Sequence, residues 1–233
     1  MSLTVGVLGG MGPAATTQFI ARVQALTPVK SEQDHLRLII DCNPHVPDRN
    51  AAATAGGASP ADVLAQMARG LQSAGAQMLV MPCNAAHAYA SDIAAAVSIP
   101  FLNLIDAVAD EAAAGGGAVG LLAADACLEA GLYQDAFADR GAALILPTAA
   151  EETQFMTLLY RIKSGDVGAG VRNAMAELAE NLIARGAQGV IAGCTEVPLV
   201  LSPADLPVPL ADSIEILAVR TVKAAKAGAL VDA

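Results

Sequence analysis

Leu71-Gln-Ser-Ala-Gly75-Ala76-Gln77 runs into the apolar stretch Met78-Leu-Val-Met-Pro82 and then Cys83-Asn84. Leu182-Ile-Ala-Arg-Gly186-Ala187-Gln188 runs into Gly189-Val-Ile-Ala-Gly193 and then Cys194-Thr195. Leu, Gly, Ala, Gln and Cys all match at one offset, 194 − 83 = 111 residues. Downstream, Ile99-Pro100-Phe101 is echoed by Val208-Pro209-Leu210, and upstream Val5-Gly6-Val7-Leu8 is echoed by Val119-Gly120-Leu121-Leu122. A repeat of this length is too long for a solenoid unit and reads as two similar domains. If each domain ends a strand on a cysteine, two thiols face one cleft.

Strand-like runs alternate with helix-like ones along the chain. Leu3–Gly9, Leu36–Asp41, Gln77–Pro82 and Pro100–Asn103 are short and rich in Val, Leu and Ile, as in strands covered on both faces. Helical stretches are expected near Pro13–Leu26, Pro60–Ser73, Ala85–Ala96 and Leu104–Ala114. The second half repeats the scheme, with strands near 118–123, 142–146, 188–192 and 208–211 and a last helix from Ser213 to Ala227. Alternation of this kind gives an α/β fold of two pseudo-symmetric domains, each a mainly parallel sheet flanked by helices. The active site is expected in the cleft between them. Residues 1–100 with 212–233 form the expected N-terminal domain carrying Cys83, and 101–211 the second domain carrying Cys194. Asn50–Ser59 reads as a small-residue loop.

Apolar residues make up 55% of the 233 and charged ones 15%, enough to build buried cores. A net charge of −10 argues against nucleic acid or an anionic membrane as partner, since both need basic surface. The N-terminal sequence lacks the basic region of a signal peptide, and no apolar run reaches the ~18 residues of a membrane span. The expectation is a soluble cytoplasmic protein whose four cysteines are reduced thiols.

Cys42 and Cys127 read as small buried hydrophobes. Cys83 and Cys194 differ, because the carboxyl ends of strands are where open α/β sheets place ligands. Each precedes an expected helix start, whose N–H groups and dipole favour a thiolate. Cys83 and His87 have metal-like spacing, but one such pair falls short of a zinc set. Two facing thiols can take a proton from one face of a carbon and return one to the other, which is two-base racemisation or epimerisation. A free thiol has a pKa of about 8.5, and lowering it by ~2 takes roughly 2.7 kcal/mol, more than a helix end usually supplies. His87, one helical turn beyond Cys83, and Glu196, two residues beyond Cys194, stand near enough to help. Arg49 and Lys163 are the cations best placed to meet carboxylates. Gly10-Met11-Gly12-Pro-Ala-Ala15 comes directly after a strand and fits a dinucleotide-binding turn, with Asp41 where a ribose-binding acid would sit. Its blander reading is a tight turn into a helix, with Pro13 at the first position and amide groups facing the cleft.

Taken together, Gly9-Gly-Met-Gly-Pro13, Pro47-Asp-Arg49, Pro82-Cys-Asn-Ala-Ala-His87 and Gly193-Cys-Thr-Glu-Val-Pro198 resemble the aspartate/glutamate racemase family, on its aspartate racemase branch. The resemblance runs over essentially the whole chain. It implies racemisation without pyridoxal phosphate, other cofactor or metal, by two cysteines matching Cys83 and Cys194, in a homodimer. It also implies that Arg49 and Lys163 bind substrate carboxylates, and that Met11, Asn84, Ala85 and Thr195 lie around an amino-acid substrate, aspartate or glutamate. The chain departs from the pattern at Ala85, where the family usually has Thr. It departs again at Ala124-Asp-Ala126-Cys127, in place of a Thr-x-Gly-Thr-like loop. Both changes remove hydroxyls expected near a carboxylate. A decarboxylase or cis–trans isomerase of the same superfamily, using one thiol, and a dinucleotide-dependent oxidoreductase remain as alternatives.

Overall fold

The computed structural model, which describes residues 2–228, gives the echoed segments one shared geometry. Each is a helix end turning into a strand. Gly75 and Gly186 hold φ of +100° and +102°, a left-handed conformation that glycine adopts without the Cβ penalty. In the first copy Gly75 N–H bonds Gln72 O at 3.0 Å and Ala76 N–H bonds Leu71 O at 3.0 Å. In the second, Gly186 N–H bonds Ile183 O at 2.9 Å and Ala187 N–H bonds Leu182 O at 3.1 Å. These paired bonds make the Schellman stop, which satisfies the last carbonyls of a helix. The repeated Leu and Ala then pack on a glycine of the neighbouring strand. A Cβ at Gly6 would lie 2.8 Å from the Ala76 Cβ, and one at Gly120 would lie 2.8 Å from the Leu182 Cβ.

The first sheet holds β1 (Val5–Gly9), β2 (Leu38–Cys42) and β3 (Met78–Val80) in the order β2-β1-β3. A parallel bridge from Leu79 to Phe101 extends it. The helices of the first half of the chain are α1 (Pro13–Leu26), α2 (Arg49–Thr54), α3 (Ala61–Ser73), α4 (Ala90–Ala96) and α5 (Leu104–Ala113), the last packed towards the second sheet. The second sheet holds β4 (Val119–Ala123), β5 (Leu144–Ile145), β6 (Gly189–Gly193) and β7 (Leu210–Asp212) in the order β5-β4-β6-β7. The second half of the chain adds α6 (Asp125–Glu129), α7 (Leu132–Asp139), α8 (Ala149–Lys163), α9 (Ala169–Ala184) and α10 (Ser213–Ala227), the last packed chiefly against α1 and α5. Every strand pairing is parallel. The two sheets correspond position for position: Leu79 N–H bonds Pro100 O at 2.8 Å, and Val190 N–H bonds Pro209 O at 2.9 Å.

The fold is therefore α/β with two parallel sheets flanked by helices. α5 and α10 join the sheets, since one core cluster contains Val5 and Val80 of the first, Leu121 and Ile191 of the second, and Leu104, Val108, Leu217 and Ala225. Met67, Leu71 and Ile93 cover the outer face of the first sheet, and Leu159, Met175 and Leu182 that of the second. Residue 1 and residues 229–233, the last part of the expected N-terminal domain, lie outside the described residues. No helix among the described residues is long and apolar enough to cross a membrane.

Several expectations need correcting. Residues 50–54 of the loop expected over Asn50–Ser59 form α2 together with Arg49, because the Asp48 side chain accepts from Ala51 N–H and caps it. The single helix expected over 85–96 is a 3₁₀ turn, Ala85–Tyr89, followed by α4. β2 is not covered on both faces: it is an edge strand with Ile40 41% exposed and Cys42 exposed. In the glycine turn, a Cβ at Gly10 would sit 2.4 Å from the Asn43 backbone, and one at Gly9 would sit 2.5 Å from Thr16. The chain's own packing requires these two glycines.

Candidate active site

Four strand ends meet at one small cleft. Met11 lies just past β1, Cys83 past β3, Ala124 past β4, and Cys194 past β6. Arg49, Asn84, Ala85, Lys163, Thr195 and Glu196 complete the expected set, and Asn50, Leu159 and Gly193 join them in the lining. All expected site residues except His87 thus line one cavity. Its volume is about 20 Å³, room for little more than one water. A far larger cavity of about 850 Å³, between α1, α5, α10 and β7, contains neither cysteine. The carboxyl ends of the strands, where α/β sheets bind ligands, favour the smaller one.

Burial raises the pKa of the Cys83 thiol; the Arg49 charge and the Ala86 N–H oppose this, Glu196 adds to it, and Lys163 opposes it. Burial raises that of Cys194 more strongly, Glu196 adds to it, and Lys163 opposes it. The expectation that helix starts would favour thiolates is overturned, because each cysteine leads only into a short 3₁₀ turn, at 85–89 and 197–199. Desolvation of a charged sulfur outweighs so small a dipole. With burial raising both, the two sulfurs carry their protons at neutral pH. Cys194 Sγ donates to Glu196 Oε2 at 3.0 Å, and Thr195 Oγ1 donates to the same oxygen at 3.3 Å. Glu196 is only 5% exposed and approaches the glycine turn, its Oε1 lying 3.2 Å from where a Gly12 Cβ would be.

Arg49 is held by carbonyls from two loops: Nη1 donates to Val46 O and Pro47 O at 3.3 and 3.1 Å, and Nη2 to Met11 O at 3.4 Å. That aims a guanidinium into the cleft without neutralising it. Lys163 is the last residue of α8 and lies 5.7 Å from the centre of the Tyr160 ring. Its charge is felt at both sulfurs, which places it opposite neither one alone.

His87 works behind the site. Leu104 N–H donates to Nε2 at 3.0 Å, so the proton sits on Nδ1, which donates to Cys83 O at 2.8 Å. The ring is stacked on Phe101, and burial lowers its pKa to about 4. It is neutral and positions the Cys83 loop; it does not bring charge to the thiol. With both nitrogens engaged it is not a metal ligand, and among the described residues no group of three or more His, Cys, Asp or Glu is arranged to hold a metal. Cys127, expected to alter the pocket, is fully buried behind the lining, where burial and the Cys83 sulfur raise its pKa. Ala85 and Ala124 do face the cleft. Sequence reasoning missed Asn50, whose Oδ1 accepts Ala126 N–H at 3.1 Å across the cleft. The helix cap at Asp48 was the signal for it.

The profile of the Asp/Glu/hydantoin racemase family matches residues 8–221. The chain belongs to that family. It is 26% identical over 230 residues to the broad specificity amino-acid racemase RacX of Bacillus subtilis strain 168, covering 94% of this chain and 96% of that one. Among solved structures, Picrophilus torridus aspartate racemase superposes with a TM-score of 0.86 at 28% identity, covering 96% of this chain and 94% of that one. A shorter likeness, 37% over 83 residues, is to a protein of the pnlA 3′ region in Pectobacterium carotovorum subsp. carotovorum. It spans 36% of this chain and 55% of that protein.

Proposed function

We propose that this member of a racemase family is an amino-acid racemase, an isomerase that inverts the α-carbon by two-base proton transfer between Cys83 and Cys194. One observation carries the reading: equivalent strand ends, after β3 and β6, bring the two thiols to one desolvated cleft with two cations. One sulfur, as thiolate, removes the α-proton from one face; the other, as thiol, delivers its proton to the opposite face. The protonation states are then exchanged, so the reverse reaction starts from the product state. Glu196 is the acceptor positioned to take the Cys194 proton beforehand. Arg49 and Lys163 stabilise the charge that builds on the carboxylate as the α-proton leaves. The reaction so drawn uses side chains alone.

The substrate is taken to be aspartate or glutamate, supported by the two cations and by the relatives' names. Ala85 and Ala124 withdraw hydroxyls from the lining, which weakens recognition of a second carboxylate and widens the range of side chains admitted. Residues 1–100 with 212–233 and residues 101–211 are read as the bodies flanking the cleft. A homodimer is part of the same reading, and the half-exposed apolar edge strand β2 suits one.

The test is solvent-deuterium incorporation into a panel of amino acids. Wild type should label both enantiomers of its substrate while interconverting them. Cys83→Ala should label one enantiomer without inversion, and Cys194→Ala the other. Full racemisation surviving either substitution would sink the two-base assignment.

A further inference from the structure

Asn84, beside Cys83, is 2% exposed and lines the cleft, yet its carboxamide is held from outside the site. Tyr133 Oη donates to Asn84 Oδ1 at 2.6 Å, and Asn84 Nδ2 donates to Ser213 Oγ at 3.1 Å. Tyr133 lies on α7 and Ser213 opens α10; both are fully buried. We propose that Tyr133 is a positioning residue for the reaction, acting through Asn84 to fix the strand end that carries Cys83. This rests on the racemase reading above.

Three polar groups from three distant segments meet where packing alone asks for none. Tyr133 sits in the main core beside Phe137 and Leu104, where a phenylalanine would fill the same volume without a hydroxyl needing a partner. An apolar residue at 84 would remove the need for all three. The carboxamide has two lone pairs and two N–H groups, of which the network uses one each. One acceptor and one donor remain for a ligand in the cleft. Their directions are fixed only while Tyr133 and Ser213 hold the amide plane. Burial, with the fields of Cys127 and Cys194, raises the pKa of Tyr133 well above its ordinary value, so the phenol stays a donor. The same turn also carries the Ala86 N–H that faces the Cys83 sulfur and the His87 ring that bonds the Cys83 carbonyl, so rotation at Asn84 is felt at the thiol.

The experiment compares wild type with Tyr133→Phe by steady-state kinetics and by the iodoacetamide alkylation rate of each cysteine, read by peptide mass spectrometry. Tyr133→Phe should lower kcat at least tenfold with KM within threefold. It should speed alkylation of Cys83 at least threefold while leaving exposed Cys42 unchanged. Asn84→Ala combined with Tyr133→Phe should be no slower than Asn84→Ala alone, which a purely structural Tyr133 would not produce. If Tyr133→Phe does not fold, Ser213→Ala loosens the same amide from its other side and is judged on the same readouts. With an active wild type, kcat within threefold of it in the folded variant overturns the proposal. If wild type racemises no amino acid, the racemase reading fails separately, and an unchanged Cys83 alkylation rate overturns the role of Tyr133.

Discussion

His87 shows how a residue with a reactive name can serve the site by staying unreactive. Its two nitrogens bond backbone groups, Cys83 O and Leu104 N–H, and only the neutral ring can do both. Its pKa is about 4 folded against 6.5 for the free side chain. The unfolded chain therefore binds more protons than the folded one between those values. Stability from His87 is complete above pH 6.5 and is lost as the pH falls toward 4. The gap amounts to about 3 kcal/mol, of which roughly 2 should be gone at pH 4.5. Glu151, whose pKa Arg185 holds down at about 2, weakens the protein in the same direction, so a comparison is needed. Urea unfolding at pH 7 and pH 4.5 should show a loss about 2 kcal/mol larger for wild type than for His87→Gln. Equal losses would show that the ring is not held neutral by the fold. The thiols make the parallel point: the sequence suggests helix ends favouring thiolates, but burial decides the sign, and burial is visible only once four strand ends converge.

At the scale of elements, the repeat was legible because its cause is local. A Schellman stop needs glycine at one position and small or apolar residues around it, and these recur in order at Leu71–Gln77 and Leu182–Gln188. Nothing lies within 4 Å of a Cβ built at Gly75 or Gly186, so alanine there meets only backbone strain. Gly75→Ala and Gly186→Ala should each destabilise by ~1–2 kcal/mol, and by similar amounts, in urea unfolding. Gly6→Ala should act differently, since its Cβ would strike Leu79 at 2.7 Å and push strand and helix apart. A neutral effect at Gly75 or Gly186 would mean the echo is not a helix stop. Elements with little periodic signal were harder to read. α2 is six residues of mostly small side chains announced only by its Asp48 cap, and β5 has two residues where five were expected. Contacts such as His87 with Leu104, or Tyr133 with Asn84, join positions that no period links, so their partners were invisible before folding.

On the scale of the whole molecule, the decisive fact is that the cleft is closed. A cavity of about 20 Å³ has no room for an amino acid as it stands, so a substrate can enter only if residues of the lining move apart. The closed state has the chemistry that closure explains: sulfurs stripped of water, where fixed charges act strongly. A hydrogen bond spans the cleft. Asn50 of α2, 6% exposed, accepts Ala126 N–H of α6 at 3.1 Å, joining the two halves at the mouth of the site. A net hydrogen bond is worth about 0.5–1.5 kcal/mol, so its removal should shift the closed–open balance roughly 2- to 10-fold toward open. Asn50→Ala should therefore raise the iodoacetamide alkylation rates of Cys83 and Cys194 together by that factor, with exposed Cys42 unchanged as the internal control. Both thiols must respond, because opening uncovers both. A rise at one cysteine alone would point to a local disturbance, and no rise at either would show that Asn50 does not hold the halves together.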